Sequence, residues 1–215
     1  MLYPLSKLTL YHLVKTYIGK VEGLENVPKD GRFIAAINHS SYLDDLIIPT
    51  VMLKHFRKKI HFYVNHLYFR NPVLRNFLLG AGSIPVAVKK SPDAKIINEK
   101  AFKEALRHLA HNEPVGIFPE GHRSLDGKLQ RGKTGVARLA LAAKVPVIPM
   151  GITGSYQILP KGKSFPRFRR CTIRIGAPMH FDRYLEKGKD RKALEKITKC
   201  IMKEIAKLTR QTYPY

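Results

Sequence analysis

Cysteine is scarce in this chain. Only Cys171 and Cys200 occur, far apart and without a second pair, which is neither a zinc ligand set nor a disulfide framework. Long apolar runs are missing as well. No stretch reaches the roughly 18 to 20 residues that span a bilayer, and the N-terminus shows no compact apolar core followed by a small-residue cleavage site. The expectation is a chain in or on the cytoplasmic face of a membrane, peripheral or monotopic, with reduced thiols. Internal repeats and low-complexity tracts are absent too. Acidic residues are few: 16 Asp plus Glu stand against 39 Lys plus Arg, a formal net charge of +23. Such a surface attracts phosphate, whether in nucleic acid, anionic lipid headgroups or a small substrate.

Apolar residues make up 44% of the 215 positions and charged ones 26%, a globular balance that suits one core over residues 1–215. Residues 1–22 place Leu10, Leu13, Val14, Tyr17, Ile18 and Val21 at helical intervals among Lys7, Lys15 and Lys20. That pattern predicts a basic amphipathic helix, packed on the core or lying among lipid headgroups. Short apolar, β-branched runs predict strands over 31–38, 83–88, 114–118, 145–152 and 171–175. Helical patterns fall between them at 41–54, from Ser91 and Pro92 onward to Leu109, and at 136–144. The last helix, 191–211, separates Leu194, Ile197, Ile201, Ile205 and Leu208 from a lysine face; core packing and attraction to an anionic surface both satisfy it. Only 161–170 reads as a flexible basic loop. Strands alternating with helices predict an α/β fold: a central, mostly parallel sheet flanked by helices, with basic amphipathic helices at both ends. Its sites belong where loops leave the carboxyl ends of strands.

Directly after the first predicted strand stands NHSSYLDD, residues 38–45. His39 and Asp44 are five positions apart, about 140° around a continuous helix, so they meet only if His39 lies on the turn and Asp44 opens the helix. The carboxylate then fixes the imidazole tautomer, and the other ring nitrogen can take a proton from a hydroxyl. Ser41 and amides at the helix start are candidate oxyanion donors. A solvated loop pair or a capping arrangement has the same spacing. A second strand end carries PVGIFPEGHRS, residues 114–124, with Glu120, Gly121 and Arg123 on its turn; arginine suits forked phosphate recognition.

Together these blocks resemble the lysophosphatidic acid and glycerol-3-phosphate acyltransferase family. NHSSYLD matches its NHxSxxD block, FPEGHRS its FPEGTRS block and VPVIPM (145–150) its VPVxPV block, in the family's order, over about residues 21–178. The resemblance implies an α/β fold, transfer of a fatty acyl group from acyl-CoA or acyl-carrier protein to a glycerophosphate-type hydroxyl, and neither metal nor cofactor. It makes His39 the base and Asp44 its orienting carboxylate. It gives acceptor binding to Glu120, Gly121 and Arg123. The stretch GSIPVAVKK (82–90) resembles the block whose basic residue meets the acceptor phosphate. Arginine is usual near the position of Val88, so Lys89 or Lys90 takes that part here. His122 replaces the usual threonine, which implies altered acceptor preference. LQRGKTGVARLA (129–140) resembles the following basic, glycine-containing stretch, where Arg131 can meet an anion and Arg131 and Lys133 can equally be solvated. VPVIPM reads as a buried strand helping to shape an acyl tunnel.

Lysophosphatidate is the leading acceptor, with phosphatidate the product and an anionic membrane surface the place of reaction; glycerol-3-phosphate or another lysophospholipid would use the same base. A basic nucleic-acid-binding module also fits the charge but lacks an RNA-recognition, zinc-finger or helix-turn-helix pattern. A metal hydrolase fits the nine histidines, yet neither His55, His61 and His66 nor His108 and His111 have ligand spacing with a third partner.

Overall fold

The computed structural model describes residues 3–29, 31–55, 59–88, 92–187 and 190–215. Lys89, Lys90 and Ser91, which carry parts in the sequence reading above, lie outside them. Seven strands form one sheet: β1 (Ile18–Glu22), β2 (Ile34–Ile37), β3 (His61–Asn65), β4 (Ile84–Val86), β5 (Val115–Ile117), β6 (Val147–Thr153) and β7 (Cys171–Ile175). Their order is β1-β7-β6-β2-β5-β3-β4. Every pairing is parallel except β6 with β7. The helices are α1 (Tyr3–Thr16), α2 (Asp44–His55), α3 (Pro72–Gly80), α4 (Ala94–Ala110), α5 (Gly135–Ala143), α6 (Ser155–Ile158) and α7 (Arg191–Thr209).

Strand alternation divides the interior. In β2, Ile34 and Ala36 face a layer built from Ala105 and Leu109 of α4, Leu139 of α5 and Ile201 of α7. Ala35 and Ile37 face the other layer, with Ile47 and Ile48 of α2 and Val14 of α1. Because both faces are covered, β2 is buried at every position, as a central parallel strand must be. The predicted helix–sheet–helix architecture is therefore present. The interior strands are shorter than predicted, because the flanking Gly, Pro and charged residues belong to connections.

Two differences have physical causes. The N-terminal helix ends at Thr16, and residues 18–22 are an edge strand paired with β7. The register of that pairing shifts between Ile18 and Lys20. This irregularity lets Ile18 and Val21, three apart, pack on the same cluster, so a spacing that reads as helical is satisfied in a strand. The helix α3 went unpredicted although its start carries a cap and proline: Leu74 N donates to Asn71 Oδ1 at 3.1 Å, with Pro72 in the first turn. At the C-terminus, α7 turns its apolar face, including Ile197, Ile201 and Ile205, into the core, which leaves only its lysine face for any external partner.

Candidate active site

The turn after β2 is held by main-chain bonds before any catalytic side chain is considered. Asn38 pairs with β6: Nδ2 donates to Ile152 O at 3.0 Å, and Ile152 N donates to Oδ1 at 2.7 Å. His39 N donates to Glu120 Oε1 at 2.8 Å, and Ser124 N donates to His39 O at 2.8 Å. Thus the loop after β5 grips His39 at both its N–H and its C=O. Asp44 opens α2, and its Oδ2 accepts from Ser40 N and Ser41 N, each at 2.7 Å. Folding the chain back through these bonds brings His39 Nδ1 to 3.1 Å from the same oxygen. The pair predicted from NHSSYLDD is formed, in the turn geometry it required.

The imidazole stacks on Phe118, with centroids 3.8 Å apart and planes 14° from parallel. Stacking and the Nδ1 contact together fix the ring. The carboxylate holds the Nδ1–H tautomer, which leaves Nε2 with a lone pair able to receive a proton. Asp44 Oδ1 is sealed from solvent and has no hydrogen-bond partner among the described residues; the carboxylate's bonding there falls on the oxygen facing His39.

Three of the assigned binding residues have other work. Ser41 is fully buried, and its hydroxyl donates to Leu159 O at 2.9 Å while accepting from Leu43 N at 3.2 Å. The hydroxyl is thereby engaged in the turn, and the substrate contact expected of it would compete with these two bonds. Glu120 is 1% exposed. Its second oxygen accepts from Gln130 N at 2.7 Å, so both oxygens serve main-chain amides and the residue is a brace. Burial pushes its pKa up to about 7, against the lowering by those two amides. Arg123 forms an ion pair with Asp45, donates to Ser41 O at 3.3 Å and lies over the Tyr42 ring. Its Nη2 and Nε are engaged by Asp45 and Ser41 O, so a forked phosphate contact through that edge would compete with both.

Gly121 does open space. It has φ +71°, and a Cβ there would come within 2.7 Å of Lys133 Nζ. Only glycine combines that backbone with the crossing of the lysine stem. Lys133 borders a groove of about 410 Å³ with Tyr63, Val86, Phe102, Ile117 and Phe118. Its other charged border, Arg138, is already forked onto Glu99 at 3.1 Å. Among the described residues, Lys133 is thus the cation of this groove that holds no carboxylate. A second cavity, about 960 Å³, lies on the β6 side and is bordered by Ser40, Gln130 and Thr153. Residues 145–150 border neither cavity, so the tunnel part given to VPVIPM is not visible in either. Arg131 is exposed on the same stretch as Lys133 and also borders neither.

Sequence reasoning missed Asn38, Ser124, Gln130 and Lys133. The first three act through pairing between distant segments, which no local spacing encodes. Lys133 had a signal in its glycine-flanked basic stretch, without anything to say that it would reach Gly121.

Comparisons with known proteins agree with this arrangement. The acyltransferase family matches residues 19–153, which include both motif turns. The 1-acyl-sn-glycerol-3-phosphate acyltransferase of Bacillus subtilis (strain 168) is 30% identical over 162 residues, 75% of this chain and 73% of that one. The protein of the same name from Limnanthes douglasii is 29% identical over 168 residues, with 55% of its length covered. In fold, the chain is similar to the crystal structure of the 1-acyl-sn-glycerophosphate (LPA) acyltransferase PlsC from Thermotoga maritima. The TM-score is 0.68 at 23% identity, over 96% of this chain and 80% of that one. With the His39–Asp44 turn, the matched span and the fold all in agreement, the chain belongs to the acyltransferase family.

Proposed function

We propose that this acyltransferase moves a fatty acyl group from an acyl thioester, acyl-CoA or acyl-carrier protein, to the hydroxyl of lysophosphatidate, forming phosphatidate. The observation that carries the reading is the buried His39 Nδ1 to Asp44 Oδ2 contact of 3.1 Å on the turn after β2. His39 Nε2 takes the hydroxyl proton as the oxygen attacks the thioester carbonyl; the C–S bond then breaks and the thiolate leaves. The names of the similar proteins from Bacillus subtilis and Limnanthes douglasii favour this acceptor over glycerol-3-phosphate or another lysophospholipid. The apolar groove reaches the site through Phe118, which borders it and carries the His39 ring; it suits an acyl chain. Lys133 and Arg131 are the cations we assign to the acceptor phosphate.

The same reading places the reaction at an anionic membrane surface. No helix among the described residues is long and apolar enough to cross a bilayer. The connections at the carboxyl ends of the parallel strands, however, expose large apolar side chains beside basic ones. Val73 is 81% exposed near Arg70 and Arg75, and Phe165 and Phe168 are 85% and 78% exposed among Lys163, Arg167 and Arg169. Leu13, just before β1, projects at the same end. Apolar tips interleaved with cations suit a headgroup layer.

The test is thiol release from acyl-CoA and from acyl-carrier protein in lipid micelles, with and without lysophosphatidate, for the wild type and His39→Ala. Acceptor-dependent release that yields phosphatidate and is lost in the variant is the expected result. Release without acceptor dependence points to another acceptor. Undiminished turnover by His39→Ala refutes the mechanism.

A further inference from the structure

At the opposite end of the sheet from His39, the fold gathers residues that sequence spacing kept apart. His61 opens β3, Glu113 precedes β5 by two positions, and His108 lies in the last turn of α4. One ligand-capable atom from each lies within 4.8 Å of the other two. We propose that His61, His108 and Glu113 form a structural site for a divalent cation of the zinc class, apart from the acyl-transfer site.

The hydrogen bonding around each imidazole carries the argument. His61 is 6% exposed. Its Nδ1 lies 2.8 Å from Gly82 O, and a carbonyl only accepts, so Nδ1 bears the hydrogen. A buried imidazole is least costly when neutral, which leaves Nε2 as a lone pair. That atom is sealed from solvent and makes no hydrogen bond among the described residues, yet Glu113 Oε2 is 3.3 Å away. A lone pair on a buried nitrogen facing the oxygen of a partly exposed carboxylate suits a cation between them. Gly82 is part of the same construction, since a Cβ there would come within 2.6 Å of His61 Nδ1.

His108 presents the complementary half. Its Nδ1 is 2.6 Å from Glu113 Oε2, and its Nε2 is 3.2 Å from Glu104 Oε1. A metal replacing the proton between Nδ1 and Glu113 would release that proton to solvent and leave Nε2–H donating to Glu104. Each histidine would then coordinate through one nitrogen and donate from the other, to a carbonyl in one case and a carboxylate in the other, the usual outer-shell arrangement of metal-bound imidazole. Two nitrogens and one carboxylate oxygen, with water as a fourth ligand, suit zinc. The two rings stack with centroids 3.6 Å apart, so coordination opens this stack and tilts His108, the less buried of the two.

The experiment uses the tag-free, chelator-treated full chain. Cobalt(II) is titrated while its visible ligand-field absorption is followed, and thermal unfolding is recorded with and without zinc chloride. The expected result is one cobalt per chain, displaced by zinc, and a zinc-dependent rise in Tm. Both should be lost in His108→Gln and in Glu113→Gln, at partly exposed positions, with the fold of each variant checked by circular dichroism. Glu104→Gln should weaken binding about 10- to 100-fold. Absence of metal binding by the wild type, with His61 found doubly protonated by NMR, would show that a proton bridges the gap and would overturn the proposal. Binding that persists unchanged in both ligand variants would also overturn it.

Discussion

Asp44→Asn separates the chemistry of the proposed catalytic pair from the folding of its turn. Asp44 Oδ2 accepts from Ser40 N, Ser41 N and His39 Nδ1, while Oδ1 is buried without a partner among the described residues. Asparagine can place its carbonyl where Oδ2 was, so both main-chain amides keep an acceptor, although each bond loses its assistance from charge. Its NH2 then occupies the sealed Oδ1 position, where an unsatisfied donor costs about 1–3 kcal/mol. Flipped, the amide would face two N–H groups and force His39 into the wrong tautomer. Either rotamer removes the negative charge that stabilises the imidazolium as the proton arrives. The loss in kcat should approach the contribution of a positioned base, about 10²- to 10⁴-fold, or roughly 3 to 5 kcal/mol of barrier. Asp44→Ala is less informative, because it strands two buried N–H groups at about 1–3 kcal/mol each and can unfold a marginally stable domain. The assay is single-turnover thiol release at saturating acyl donor and acceptor, beside urea unfolding of the same preparation. An Asp44→Asn variant that folds and turns over within a few-fold of wild type would refute the tautomer argument.

Glu120, whose folded pKa stands near 7 against an ordinary 4.5, should make stability fall as pH rises. Its contribution is intact below about 4.5 and is lost through about 7, about 3 kcal/mol in all. Urea unfolding at pH 5 and pH 8 should show that component in the wild type and not in Glu120→Gln; an identical pH slope in both contradicts the assignment. Gly121→Ala puts a Cβ against Lys133 Nζ at φ +71°. It should cost about 1–2 kcal/mol of stability and raise the apparent KM for lysophosphatidate more than it lowers kcat; a KM equal to wild type would remove Lys133 from acceptor binding. Replacing Phe165 and Phe168 together with serine should leave thermal stability unchanged and reduce sedimentation with anionic liposomes at low salt. Equal sedimentation would show that this connection does not enter the headgroup layer.

What the sequence disclosed and what it withheld follow from the range of the interactions. The α/β alternation was legible because β2 and β6 are apolar runs bounded by turn residues, and α4 and α7 carry apolar faces at helical spacing. The His39–Asp44 pair was legible because five residues and one turn suffice to close it. By contrast, β1 was misread, since an edge irregularity gave Ile18 and Val21 a helical separation. The partners of Glu120 and Arg123 were not legible for a related reason: residue type announces a charge but not what it meets. Glu120 is spent on the amides of His39 and Gln130, and Arg123 on Asp45.

Those two assignments carry a consequence for the second motif. Its glutamate and arginine bind the first motif's turn directly, through His39 N, Ser41 O and Asp45. Ser124 N adds a bond to His39 O. The two blocks are therefore one braced unit in which a small displacement of the β5 loop moves the imidazole, and misplacement of a catalytic group by about 1 Å can cost 10²-fold in rate. Loss of activity on changing Glu120 or Arg123 thus cannot by itself identify a substrate contact. The distinction lies in how the loss divides: a displaced His39 lowers kcat for every acceptor, whereas a lost phosphate contact raises KM for phosphorylated acceptors alone.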